Sequence, residues 1–196
     1  SLEATGHQLS RAWRVVMARD PDAMIVRACL DGDKTAFGVL VDKYSGPLFN
    51  ATYRITRGRE DASDATQAAF VKAYEKLPSF DFDHRFFSWI YRIALNEALD
   101  IAARRRREAR IEEAPEPAGG DIEGEYAEAE RSRLVQSALG ELVPDARSLI
   151  VLRHFQGLSY EDIAEIVGVP EKTVKSRLFS ARQRLRKVLE DRGWRP

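Results

Sequence analysis

Arg85, Trp89, Arg92 and Asn96 recur at i, i+4, i+7 and i+11, so a helix through them would carry all four along one stripe. A guanidinium neutralises phosphate, an indole offers a plate for stacking and a carboxamide pairs with a base edge. Together these groups suit unpaired nucleic acid. The stretch just before, "SFDFDHR", adds Phe80, Phe82, Asp83 and His84, aromatic and polar groups able to hold a base turned out of its stack. Arg104, Arg105, Arg106 and Arg107 follow and would grip flanking duplex by its phosphates. Ile90, Ile93, Ala94 and Ile101 fall on another side of the same helix, and Phe86, Phe87 and Tyr91 are expected to be core. An interior Trp89, with Arg92 and Asn96 paired to neighbours, is the competing reading of the stripe.

A second constellation lies in "LSYEDIAEIVGVPEKTVKSRLFSARQRLRKVL", residues 158–189. Ser159 with Asp162 forms a capping arrangement, although Glu or Gln is the usual partner. Ile163, Ala164 and Val167 supply an apolar face, Gly168 suits a left-handed C-cap and Pro170 the first turn of the next helix. Short helix, glycine turn and longer helix make a helix-turn-helix. At 100° per residue, Val174, Leu178, Ala181, Leu185 and Val188 share the inner side of the longer helix. Lys172, Ser176, Phe179, Ser180 and Gln183 point outward, flanked by Lys175 and Arg182 on one edge and by Arg177 and Arg184 on the other. Hydrogen-bonding groups at the centre and cations at both rims suit a major groove, bases in the middle and phosphates at the sides. An outward phenylalanine is costly on a merely solvated helix, but it fits a thymine methyl or the sugar-phosphate wall.

The elements that must position these groups are helices, because apolar periodicity is helical throughout and strand signals are nearly absent. Asp22 is expected to cap a helix to about Leu30, and Asp33 another to about Ile55, bent or interrupted at Gly46-Pro47. "EDASDATQAAFVKAYEKLP" reads as a third, stopping before Pro78, and the stripe lies on the fourth. Residues 131–142, 144–155, 159–167 and 170–190 supply four more. Between the two sets, residues 108–130 combine two prolines, three glycines and nine carboxylates with few large apolar groups, a composition that cannot offset its ordering entropy. The expected fold is all-α: an N-terminal extension (1–21), one helical domain (22–107), a flexible acidic linker (108–130) and a second domain (131–196) holding the helix-turn-helix. The net charge of 0 conceals that division: +1, +2, −8 and +5 in the same order.

Composition excludes several classes. With 32% charged residues and no long apolar run, membrane insertion is not expected, and without a signal layout at the start a cytoplasmic location is. Cys29 is the only cysteine, which rules out an internal disulfide and suggests a small buried apolar group. His7, His84 and His154 have no metal-ligand spacing, and no glycine-rich phosphate loop occurs, so neither an enzyme nor a cofactor or metal is expected. A helix-turn-helix repressor or activator explains the second half equally well but not the basic-aromatic stripe. A helical adaptor leaves Phe179 unexplained.

"EDASDATQAAFVKAYEKL", "FFSWIYRIALNEALD" followed by arginines, and the helix-turn-helix stretch resemble, in that order and spacing, the extracytoplasmic-function (ECF) group of bacterial RNA polymerase sigma factors. The resemblance covers about residues 22–107 and 131–190. It implies a promoter-directing subunit of core RNA polymerase that reads a minus-thirty-five and a minus-ten element and assists strand melting. By the same resemblance Asp61, Asp64 and Gln67 meet the clamp helices of the largest subunit, although helix-dipole compensation explains these acids too. Ala65 and Ala68 stand where the family often has Leu and Glu. Residues 79–85, including Phe80, Asp83, His84 and Arg85, match the loop that captures a flipped base, and Trp89, Arg92 and Asn96 match the melting face, with Arg104 and Arg105 beyond it. Lys172, Thr173, Lys175, Ser176, Arg177, Phe179 and Arg182 match the minus-thirty-five reader. The linker would thread the polymerase channel, the second domain would meet the flap, and an anti-sigma factor would block these surfaces.

Overall fold

The computed structural model describes residues 20–108 and 126–194, with the side chains of residues 126–132 left out of that description. Most of the expected N-terminal extension and linker, residues 1–19 and 109–125, therefore lie outside the described residues. What is described is all helix and turn.

The first domain is built from α1 (Ala23–Leu30), α2 (Ala36–Thr56), α3 (Arg59–Lys76) and α4 (Phe86–Glu108), with a 3-10 turn, Leu77–Ser79, after α3. Asp22 stands at the N-cap of α1 but makes no cap bond there. Its carboxylate instead accepts from Lys43 Nζ at 2.6 Å and from the Tyr44 hydroxyl, tying α1 to α2. Asp33 does serve the start of α2, accepting from the Thr35 N–H at 2.9 Å and its hydroxyl at 2.6 Å. The expected interruption at Pro47 does not occur, and α2 runs through it as one helix. The carbonyl of Lys43, four residues back, loses its helical donor to the proline, at a residue that is exposed.

Ala62, Ala65, Ala69 and Ala73 form the buried stripe of α3. Small side chains there let α3 lie close to its neighbours, and the buried Thr52 and Thr66 hydroxyls meet at 3.0 Å across the α2–α3 contact. Ala65, a departure from the family pattern, is thus a close-packing residue. Phe86, Ile90, Tyr91, Ala94 and Ala98 are the core face of α4, with Phe86 and Ile90 fully enclosed. Ile93 and Ile101 are only half-buried, as are Phe87 and Cys29, so Cys29 is not the enclosed group expected.

The second domain contains α5 (Tyr126–Glu141), α6 (Pro144–Ile150) continuing as a π-helical turn Val151–Phe155, α7 (Tyr160–Val167) and α8 (Glu171–Asp191). Ser159 and Asp162 form a reciprocal capping box, side chain to N–H at 3.0 Å in both directions. Gly168 ends α7 with φ 69°. Val174, Leu178 and Ala181 are buried as expected, while at the far end Leu189 rather than Val188 takes the inner position. One hydrophobic core runs through both domains, from Val26 in α1 to Ala181 in α8.

Candidate nucleic-acid interface

The outer face of α8 presents Lys172, Lys175, Ser176, Arg177, Phe179, Arg182 and Gln183 to solvent, and Thr173 is half-buried. Phe179 is 62% exposed and packs on nothing that would explain it as core. Tyr160, at the start of α7, organises one rim. Lys175 lies over its ring at 5.3 Å and Arg182 donates to its hydroxyl at 3.2 Å. Lys175 also pairs with Glu171 one turn earlier, at 2.5 Å. The helix therefore offers an aromatic ring and hydroxyl groups between two rims of cations.

The stripe on α4 has a different status. Asp20, nearly inaccessible at 3% exposure, accepts from the Phe86 N–H at 2.8 Å and caps α4 from far away in sequence. Arg85 lies just ahead of that helix, and the second domain meets it there. Glu165 of α7 accepts from Arg85 Nε at 3.1 Å, Nη2 at 2.8 Å and N–H at 3.2 Å, and Asp162 accepts from Nη2 at 2.5 Å. His84 stands 3.7 Å from Glu165. Two carboxylates on a helix thus occupy a guanidinium and a helix N-terminus in the manner of a phosphate. Arg92 donates to the last carbonyls of α7, to Ile166 at 3.0 Å and to Glu165, closing that helix from the other domain.

Trp89 is half-buried, its ring 5.2 Å from Phe80 and 5.7 Å from Phe86. Phe80 is buried at 7% exposure and does not present a ring to a flipped base, contrary to expectation. Apolar burial of Phe80 against Phe82, Phe86 and Trp89 outweighs display in the loop. Asp83 and His84 remain exposed, as do Asn96, Arg104 and Arg105. Arg105 is engaged, donating at 3.1 Å to each oxygen of Asp61. That pairing takes Asp61 out of the free acidic face expected for α3, leaving Asp64 and Gln67 exposed.

Arg92 and Asn96 face Ser176, Arg177, Ser180 and Arg184 across a cavity of about 650 Å³ between the domains. The stripe and one edge of the reading helix therefore close on each other. A space of that size admits a small molecule, not a duplex whose major groove, about 12 Å wide, must embrace a helix. Sequence reading missed Glu165 and Arg147 and took Asp162 only as a cap. The available signal was the acidic face of "YEDIAEIV" opposite a basic domain.

The ion pair sets a pH dependence. Partial burial pushes the Asp162 and Glu165 carboxyls up, but hydrogen bonds from Arg85, and from Ser159 to Asp162, outweigh it and leave both below their ordinary 3.8 and 4.5. Their contribution to closure is thus complete above about pH 4.5 and is lost as pH falls through the lowered values. Fluorescence transfer between labels on α3 and α8 should fall over that window, and Glu165→Gln should reduce the change. An identical profile in the variant would remove Glu165 from the contact.

A basic-aromatic stripe joined to a helix-turn-helix places the chain in the class of two-part DNA-binding proteins. Residues 40–109 match the family described as Sigma-70 region 2 and residues 132–185 match Sigma-70, region 4. The chain is 36% identical over 188 residues to the RNA polymerase sigma-H factor of Pseudomonas aeruginosa, covering 89% of this chain and 97% of that one. It is 35% identical over 181 residues to the ECF RNA polymerase sigma-E factor of Haemophilus influenzae, covering 86% and 95%. Among solved structures, the sigma factor RpoE in complex with the anti-sigma factor NepR from Bartonella quintana is similar, with TM-score 0.64, 27% identity and coverage of 79% and 96%. The chain belongs to the ECF sigma factors of the sigma-70 family. It is a transcription initiation factor that binds core RNA polymerase and directs it to promoters. No helix among the described residues is long and apolar enough to cross a membrane.

Proposed function

We propose that the protein alternates between the closed form described above, in which its two DNA-reading surfaces face each other, and an open form on polymerase, in which they engage separate promoter elements. The observation that carries this reading is the position of Glu165 and Asp162 on Arg85, beside Trp89 and Arg92. In the open form Lys172, Thr173, Lys175, Ser176 and Phe179 face minus-thirty-five bases, while Arg177 and Arg182 hold phosphates. Arg85, Trp89, Arg92 and Asn96 take the unpaired minus-ten strand, with Asp83 and His84 at the loop and Arg104 and Arg105 on flanking phosphates. Asp64 and Gln67 meet the polymerase clamp, joined by Asp61 once Arg105 turns to DNA. The domains run over residues 22–107 and 131–196, with the acidic segment between them in the polymerase channel.

The chain performs no covalent chemistry and works in the cytoplasm. Contacts to polymerase and promoter supply the free energy that separates the domains and offsets unstacking of a few base pairs. The complex with an anti-sigma factor in the similar Bartonella structure supports a partner of that kind here, one that stabilises closure.

The test is core-dependent transcription. The purified chain should co-elute with core polymerase lacking a sigma subunit and permit initiation at its own promoters. Phe179→Ala should co-elute equally and lower the preference for the minus-thirty-five sequence about tenfold, as expected for losing one base-edge contact worth about 1–3 kcal/mol. Loss of polymerase binding in that variant would count against the groove assignment. Elution apart from polymerase, with duplex binding retained, would point instead to a repressor or activator.

A further inference from the structure

A second cavity, of about 510 Å³, opens at the domain seam and is lined by Arg57, Arg105, Arg106 and Arg147 together with Gly140 and Glu141. Their charges are unequally compensated. Glu141 is taken by Arg192, and Arg105 by Asp61. Arg147 spends its guanidinium on backbone carbonyls, those of Leu139 at 2.8 Å, Gly140 at 2.9 Å, Leu142 at 3.1 Å and, across the seam, Ile55. Arg57 and Arg106 have no ion-pair partner among the described residues.

Arg57 is held in place unusually. It is the one non-glycine described residue with a left-handed backbone, φ 69°, and its N–H closes α2 on the Tyr53 carbonyl at 2.8 Å. Its guanidinium then lies against Gly140, where an added Cβ would collide with Nη1 and Cζ. Arg147 donates to the carbonyl of the same glycine, so two guanidinium groups from different domains converge on one residue. Burial, and secondarily repulsion from Arg57 and Arg106, draws Arg147 down to about 10.

We infer that this seam cavity binds a small multiply charged phosphate compound, with Arg57 and Arg106 as its ligands, and that binding holds the domains closed. Guanidinium forks match phosphate oxygens, and two uncompensated cations in so small a volume favour a ligand with several negative oxygens. The volume falls within the range of small-molecule sites. Because Gly140 of the second domain lies against the Arg57 guanidinium and bounds the cavity, the site is complete only when the domains are together, and a ligand there stabilises that closed form. Inorganic polyphosphates and nucleotide phosphates share this chemistry.

The experiment is calorimetric titration of the full chain with pyrophosphate, without polymerase or DNA, against sodium chloride at matched ionic strength. The expected result is saturable one-to-one binding, weakened at least tenfold by Arg57→Ala and by Arg106→Ala. Gly140→Ala keeps every arginine but displaces the Arg57 guanidinium, and it too should weaken binding, which separates a shaped site from general basic charge. Thermal melts of the variants establish that they fold. Tighter binding of a nucleoside triphosphate than of inorganic triphosphate would place a base in the cavity, and equal binding would assign it to phosphate alone; both support the site. Equal heats with chloride, or affinities unchanged in all three variants, would overturn it. If wild type failed to bind while a chain with Glu112, Glu113 and Glu116 changed to Gln did bind, the occupant would be the chain's own acidic segment and the inference would fall.

Discussion

Glu165→Lys is expected to open the protein and to raise its affinity for single-stranded minus-ten DNA about thirtyfold in the absence of polymerase. The wild-type carboxylate accepts three hydrogen bonds from Arg85, and a lysine there would replace attraction by repulsion. These groups are partly exposed, with side chains 31% and 22% accessible for Arg85 and Glu165, so the contact is weaker than a fully buried pair and stronger than a surface one. About 2 kcal/mol is a reasonable magnitude, equivalent to about thirtyfold in a closed-to-open equilibrium. If the stripe binds only when uncovered, apparent affinity rises with the open fraction by the same factor. X-ray scattering should show a larger radius of gyration. Arg85→Ala should open the chain equally but gain less affinity, because it removes along with the latch the guanidinium proposed to meet the unpaired strand. An unchanged radius in Glu165→Lys would show that the ion pair does not hold the domains together.

Arg147→Met is expected to destabilise the second domain and its seam by about 3–4 kcal/mol, the range for removing a buried, fully hydrogen-bonded charge and stranding its partners. Arg147 is 6% exposed, and its guanidinium satisfies the terminal carbonyls of α5 and that of Ile55 near the end of α2. Methionine fills much of the volume but donates nothing, leaving four carbonyls without this partner. Arg147→Lys should rescue little, since an ammonium cannot reproduce the planar fork. In a thermal melt the transition should fall by about 6–15 °C, taking a few degrees per kcal/mol for a chain of this size. A shift under 2 °C would mean that water replaces the guanidinium and that the seam rests on apolar packing alone.

The helices and the reading helix were legible in the sequence because both follow from local rules. Ser159, Asp162, Gly168 and Pro170 act within a few residues of themselves, and the inner and outer faces of α8 follow from helical pitch. The periodicity of α4 likewise separates Ile90 and Ala94 from Arg92 and Asn96. These are consequences of chain geometry and apolar burial that need no partner to operate.

Long-range pairing was not legible. Nothing near Phe86 announces that Asp20 caps α4, and the apparent cap at Asp22 is diverted to Lys43 and Tyr44 because burial makes an unpaired carboxylate costly. Phe80 is open in the loop sequence yet closed in the fold, because three aromatic rings converge on it. Arg147 follows Pro144 and Asp145 at a helix start that reads as solvated, and only folding brings four carbonyls to it. The sequence by itself determined two helical domains, a helix-turn-helix and which basic, aromatic and amide side chains share one helix face, since each rests on spacing along one element. Tertiary structure alone decided which of those side chains are displayed: two carboxylates of α7, some eighty residues from Arg85 in the chain, arrive on its guanidinium, and Coulomb attraction with charge-assisted hydrogen bonds keeps them there.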